Sequence, residues 1–458
     1  MKKHSNDFGN DSVPGLVLRT SIPFMFAQFV NVLYSIVDRI YIGNIPQIGD
    51  VSLAGAGICA PVITLLSSFA TLIGIGGSVL FSMRLGAKDQ EKAKNLLGTS
   101  FSMLLVFSAA LTILFLLLKA PLLQWFGASK TTFPYANTYM TIYTLGTFFA
   151  LLSMGMNYFI TAQGYPGLGM ATTLIGAVVN IVLDPVFIFL LHMNIAGAAL
   201  ATVLAQLSSC VFVLLTLKQK KMPIPLTLAP IRRSTAVRIL KMGFSPFLIL
   251  ATDSVIIIAL NAVLQHFGGL EYGDTLITCA TIVQSYMLLI TSPMLGITGG
   301  SQPLISFNMG AGKVERIRKI VLCVLLLCIG FTTFMFLLSR FVPQYFVRIF
   351  TKNPEYASLS VWGIQVFTLG VIPLSFQYVF VDALTAMSLT KLSLFLSLLR
   401  KSEYFAATCL LPFFFAARMC FYAEPIADTL CFFSSSLAFF LIYKKYLKGE
   451  GRLSQLRL

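Results

Sequence analysis

Four carboxylates stand where water is scarce. Asp38, Asp184, Asp253 and Asp382 each fall inside a long apolar run of the sequence. An ionised Asp at the middle of a bilayer costs about 2.5–3.5 kcal/mol on insertion scales, so such residues face a protein interior and mark ion or proton paths. Asn180 precedes Asp184 by four positions, which puts both on one face of a helix. Asp38, Asn180, Asp184 and Thr202 together offer two carboxylates, an amide and a hydroxyl. Carboxylates held close together can share one proton near neutral pH, and the same four groups suit a small cation such as Na⁺. The plainer alternative is that Asp38 pairs with Arg39 and that Asp184 caps polar packing. A second set, Asp253, Asn261, Gln377 and Asp382, lies in the other half of the chain and suits an ion or a cationic substrate. Asn157 and Gln284 are further polar candidates for a cavity wall.

The chemistry of an enzyme is not legible. Gly310-Ala311-Gly312-Lys313 is followed by Val314, so the phosphate-binding G-x-x-x-x-G-K-[ST] loop is not formed. His4, His192 and His266 neighbour no plausible nucleophile. The chain is expected to be no enzyme and to use no cofactor beyond a coupling ion, H⁺ or Na⁺, with no metal site other than Na⁺ at Asp38/Asp184 or Asp253/Asp382.

The elements that must position these groups follow from composition. Of 458 residues, 57% are hydrophobic and only 11% charged, against about 25% charged in a soluble domain. A membrane helix needs about 20 apolar residues. Twelve such stretches occur, at 16–42, 52–82, 95–118, 135–161, 166–191, 194–217, 236–265, 274–307, 317–339, 357–387, 391–416 and 422–443. Inside lipid every backbone group must be satisfied within its own segment, which selects helices for runs of this length. The expected fold is an all-α integral membrane protein of twelve transmembrane helices.

The net charge of +16 is explained by topology. With the N-terminus cytoplasmic, 24 of the 33 Lys and Arg fall on the inner side, the positive-inside pattern, with both termini cytoplasmic. Attraction to anionic inner-leaflet lipid follows from it, and no nucleic-acid partner is expected. The polar start MKKHSNDFGNDSV and the long first apolar run do not read as a cleavable signal peptide, so the first span is expected to act as an uncleaved signal. The eight Cys lie nearly all in apolar runs, with no C-x-x-C pair, and read as packing residues.

Lys218 to Thr235 is the longest polar interruption and divides the spans six and six. This gives an N-terminal lobe over 1–217, a cytoplasmic linker over 218–235 and a C-terminal lobe over 236–458. The halves resemble each other: superposing Pro23 on Pro246 brings Asp38 onto Asn261 and Gly76-Gly77-Ser78 onto Gly299-Gly300-Ser301. Six spans separate the copies, so both halves share one orientation, as in transporters whose repeats are related by an axis along the membrane normal. Small residues such as Gly74, Gly76 and Gly77 let backbones approach closely in lipid. Arg400, Lys401 and Glu403 fall inside the eleventh span, where snorkelling to the inner interface with mutual neutralisation is the expectation.

Several of these segments together resemble the multidrug and toxic compound extrusion (MATE) family. The first half carries Ser35 to Gly43 (SIVDRIYIG), Gly74 to Asp89 (GIGGSVLFSMRLGAKD) and Asn180 to Pro185 (NIVLDP); the second carries Gly296 to Asn308 (GITGGSQPLISFN) and Ala423 to Asp428 (AEPIAD). The resemblance covers residues 15 to 445. It implies two pseudo-symmetric six-helix bundles in a V, and a multidrug antiporter of the bacterial cytoplasmic membrane, acting as a monomer. Such a protein exports organic cations and amphipathic compounds in exchange for H⁺ or Na⁺. In proton-linked relatives the coupling site matches Asp38, Asn180, Asp184 and Thr202; in a sodium-linked branch acidic residues fall near Asp253 and Asp382. The chain departs from the family pattern at Thr161 before Ala162-Gln163-Gly164, at Glu403, and at Arg418-Met419-Cys420. Alternative readings are a lipid-linked oligosaccharide flippase on a similar scaffold, which would want a basic central cavity, and a non-transporting membrane sensor, which would want a sizeable soluble domain.

Overall fold

A computed structural model describes residues 7–126, 128, 130–350 and 353–444. Its elements are helical throughout. The first half holds α1 (Val13–Gly43), α2 (Gly49–Gly86), α3 (Gln90–Trp125), α4 (Phe133–Ala162), α5 (Pro166–Pro185) and α6 (Asn194–Lys218), with a π-helical turn, Val186–Leu190, after α5. The second holds α7 (Arg233–Gly310), α8 (Val314–Phe341), α9 (Pro343–Phe350), α10 (Pro354–Phe367), α11 (Val371–Ala386), α12 (Thr390–Phe414) and α13 (Ala423–Ile442).

Three differences from the twelve expected stretches have physical causes. The stretches at 236–265 and 274–307 lie on one continuous helical trace, α7, whose apolar membrane-length parts are Arg233–Asp253 and Thr278–Gly310. The stretch at 357–387 is split into α10 and α11 by a 3₁₀ turn at Thr368–Gly370. Pro373 follows in the first turn of α11; it has no N–H to offer the preceding turn. Among the described residues eleven helical segments are long and apolar enough to cross a membrane. The stretch that fails is α12, 25 residues long, or about 37 Å at 1.5 Å per residue. It spans a bilayer by length, but Arg400, Lys401 and Glu403 sit together at its centre.

The chain forms two compact units. One comprises Ile22–Ala251 with a short N-terminal piece; the other comprises Ser12–Ser21 and the chain from Thr252 onward. In the first unit α4 packs against α2, α3 and α6. Gly74 of α2 meets Gly155 of α4 so closely that a Cβ on Gly74 would stand 3.0 Å from the Gly155 Cα, the small-residue contact that membrane helices use. The 218–235 segment is no free tether. Met222, Ile224 and Leu226 alternate inward and are buried in the core of this unit. The Ile224 amide donates to Gln163 Oε1 at 2.9 Å, and Ser102 Oγ donates to the Ala229 carbonyl at 2.7 Å.

In the second unit α13 packs on α11 and α12, and α8 on α11. The first turns of α1 belong here: Ser21 Oγ donates to the Ile297 carbonyl at 2.9 Å. None of the eight cysteines is in a disulfide, and six are buried, as packing residues would be.

Candidate ion and substrate site

Asp38 near the end of α1, Asn180 and Asp184 near the end of α5, and Thr202 in α6 meet in the first unit. The i, i+4 spacing on α5 lets Asn180 Nδ2 donate to Asp184 Oδ1 at 3.2 Å. The same nitrogen donates to Thr202 Oγ1 at 3.5 Å, and Thr202 Oγ1 in turn donates to the Ala198 carbonyl at 3.0 Å. This chain of donors fixes the amide: turned over, its oxygen would face a carboxylate. Asp184 is fully buried, Asn180 nearly so, and Asp38 half-buried.

Asp38 and Asp184 lie within hydrogen-bonding reach of each other. Two ionised carboxylates only accept, so a bond between them needs a proton. Among the described residues Asp38 Oδ1, Asp184 Oδ2 and Asn180 Oδ1 are buried and receive no donor. Buried oxygens without a donor beside two neighbouring carboxylates fit a shared proton, and equally fit Na⁺, which takes oxygen ligands.

Beside the pair opens a cavity of about 230 Å³. Its wall includes Tyr34, Asn157, Asn180, Thr202 and Gln206, and carries no charged side chain. Tyr34 is close to both Asp38 and Asp184. Several amide nitrogens in the wall are committed to protein acceptors. Asn157 Nδ2 donates to the Gly169 carbonyl at 3.2 Å, and the Gln206 amide meets the Tyr143 hydroxyl. The oxygens of Asn157, Asn180 and Gln206 have no protein donor among the described residues. The wall mixes aromatic and aliphatic side chains with neutral hydroxyls and amides.

Asn157 thus lines this cavity, whereas Gln284, half-buried on α7, is no part of its wall. The second set of candidates does not assemble into one constellation. Asp253 Oδ1 is ion-paired with Lys401 Nζ. Asp382 meets the side chains of Thr298 and Gln302 instead. Gln377 Nε2 donates to the Leu396 carbonyl at 3.3 Å. The side chain of Asn261 lies outside the described residues.

The expected snorkelling of Arg400 is corrected. Its guanidinium is buried and directed inward. Nε and Nη2 donate to Asp428 Oδ1 at 2.9 and 2.7 Å, and Nη2 donates to Glu424 Oε1 at 2.5 Å. Glu424 and Asp428 stood in the sequence only as part of the Ala423–Asp428 segment, with no role assigned to their charges. Their signal was their i, i+4 spacing on an apolar helix, which places two carboxylates on one face, opposite a helix that carried two unexplained cations.

The long apolar helices and the intramembrane carboxylates define a multi-pass membrane protein. The MatE family profile matches residues 23–186 and 250–401, well over half of the chain, and the protein belongs to that family. It is 24% identical over 441 residues to the multidrug export protein MepA of Staphylococcus haemolyticus, covering 95% of this chain and 94% of the relative. To MepA of Staphylococcus aureus it is 24% identical, with 93% of both chains covered. Among solved structures, an outward-facing multidrug resistance MATE family transporter superposes with a TM-score of 0.90 at 21% identity, over 100% of this chain and 99% of the other. A MOP superfamily transporter from Pyrococcus furiosus superposes at 0.89 and 21% identity, over 99% of both.

Proposed function

We propose that this protein is a secondary active antiporter of a bacterial cytoplasmic membrane. It exports cationic and amphipathic organic compounds in exchange for H⁺ or Na⁺. The observation that carries this reading is the Asp38–Asp184 pair, joined through Asn180 to Thr202, at the edge of a polar cavity. Proton or Na⁺ binding removes one negative charge from the pair and favours one conformation; substrate binding favours the other. A ligand shifts such an equilibrium only through its differential affinity for the two states. One charge moving across 100 mV contributes about 2.3 kcal/mol, enough for roughly fiftyfold accumulation.

The wall chemistry supports a substrate class. Aromatic and aliphatic side chains such as Phe24, Leu66 and Tyr158 alternate with neutral polar ones such as Gln28, Asn31 and Thr147, which suits amphipathic molecules. The inward excess of Lys and Arg supports cytoplasmic termini, and the export activity named for the Staphylococcus relatives supports the direction of transport.

Reconstitution in liposomes with an imposed pH or Na⁺ gradient tests the reading. The wild type should drive ethidium uphill with one of the two gradients, and Asp38→Asn should lose that coupling while remaining folded. Unchanged gradient-driven transport in Asp38→Asn would overturn it.

A further inference from the structure

The two cations buried in α12 take no part in the site just described. Arg400 is fully committed: three of its contacts go to Asp428 and Glu424. Its neighbour Lys401 turns to a different helix and ion-pairs with Asp253 of α7. The side chains of Lys401 and Asp253 are 17% and 39% exposed, whereas Asp428 is fully buried. Tyr378 of α11 faces the same cluster, close to Arg400, Asp253, Glu424 and Asp428. Two cations thus meet four carboxylates, Asp253, Glu403, Glu424 and Asp428; by hydrogen bonds Arg400 serves the α13 pair and Lys401 serves Asp253, while Glu403 lies close to Arg400.

We propose that Lys401 is the resident cation of Asp253 and excludes free monovalent cations from this carboxylate. An ammonium is a compact monovalent charge with three donors, and it stands where a sodium ion would stand. Because it is tethered through the chain, it competes at the high effective concentration of an intramolecular ligand. A sodium ion that displaced it would take from the ammonium its one ion pair among the described residues, since Arg400 holds Glu424 and Asp428. Asp253 is therefore compensated from within, and the second unit needs no ion at this position. The inference concerns a different carboxylate from the Asp38–Asp184 pair and stands whether or not that pair couples transport.

Equilibrium binding of ²²Na⁺ to the purified full-length protein, in a choline chloride background, tests it. Wild type, Asp253→Asn and Lys401→Arg should bind the same number of sodium ions, whatever the first unit contributes. Lys401→Met should bind one more per chain, and the double variant Lys401→Met/Asp253→Asn should return to the wild-type number. A loss of sodium binding in Asp253→Asn would overturn the proposal. So would a folded Lys401→Met that gains none, or an extra site that survives removal of Asp253. Should Lys401→Met fail to give a monodisperse protein, Lys401→Gln replaces it. If neither folds, the comparison of Asp253→Asn with wild type decides, equal binding supporting the proposal and a loss refuting it. Failure of the Asp38→Asn experiment leaves these outcomes unchanged, so the two readings fail separately.

Discussion

Gly243 of α7 lies directly against the Leu72 carbonyl of α2, and one turn away Gly76 of α2 lies against the Ile239 carbonyl of α7. The contact is reciprocal: each helix presents a glycine to the other's backbone, four residues from the carbonyl it receives. A Cβ at either position has no room. Gly243→Val therefore forces the two backbones apart. Overpacking typically costs about 1–3 kcal/mol, occasionally more, and here the obstacle is backbone rather than a movable side chain. Thermal unfolding in detergent should show a clear loss for Gly243→Val. Gly57→Ala on the same α2, where nothing lies within 4 Å of the added Cβ, should be neutral or stabilising by up to about 1 kcal/mol.

Arg400 binds both Glu424 and Asp428 in a buried setting. Removing one partner of such a cluster leaves uncompensated charge and costs about 3–5 kcal/mol. Arg400→Met should unfold at a markedly lower temperature or fail to accumulate in the membrane. Arg400→Lys keeps the charge but loses the planar fork that reaches both carboxylates, and should fall between the two. Neutralising the acids as well, in Arg400→Met/Glu424→Gln/Asp428→Asn, should recover much of the loss. A triple variant no more stable than Arg400→Met would show that packing of the Arg400 stem, rather than charge, carries the stability.

These two contacts separate what the sequence shows from what only the fold supplies. The Asn180–Asp184 bond was legible because spacing within one helix fixes which residues share a face. Their meeting with Asp38 and Thr202 was legible only as a shared depth, which run length and direction allow. Arg400 was misread because its partners lie on another helix, and the rotation of α12 about its axis is set by packing, which linear spacing does not encode. The packing of the 218–235 segment was not legible for a related reason. Its basic residues and prolines signal a surface connection, and the alternation of Met222, Ile224 and Leu226 is too short to stand out, yet it seats the segment on the first unit.

Asn180 joins Asp184 to Thr202, so its removal should affect coupling more than folding. Asn180→Leu keeps the volume and deletes the donor to Asp184. A hydrogen bond to a charged group contributes about 1.5–3 kcal/mol, which corresponds to roughly tenfold to a hundredfold in an equilibrium constant. Gradient-driven export at fixed substrate concentration should weaken on that scale, while the unfolding temperature moves little. Full export by Asn180→Leu would show that this amide does not set the state of the pair.

Asp89 gives a pH dependence outside the membrane. It caps α3, accepting from the Lys92 amide at 3.2 Å, and its carboxylate ion-pairs with Lys92 Nζ at 2.8 Å. The Lys92 side chain, then its backbone N–H, hold the Asp89 carboxyl below its ordinary value. A depressed folded value means that the contribution is complete above the unfolded value, about 3.9, and is lost as pH falls through the folded one. The difference in unfolding temperature between wild type and Asp89→Ala should hold steady from about pH 5 to 8 and shrink below about pH 4, towards the advantage of an uncharged cap. Asp89→Ser keeps a capping oxygen without the charge, so its stability should show no such acid loss at this site. Raised salt should narrow the gap between wild type and Asp89→Ser, because the exposed ion pair is screened, and should leave the gap between Asp89→Ser and Asp89→Ala in place. A wild-type advantage over Asp89→Ala that persisted undiminished at pH 3 would show that the acceptor at this cap, rather than the charge, stabilises α3.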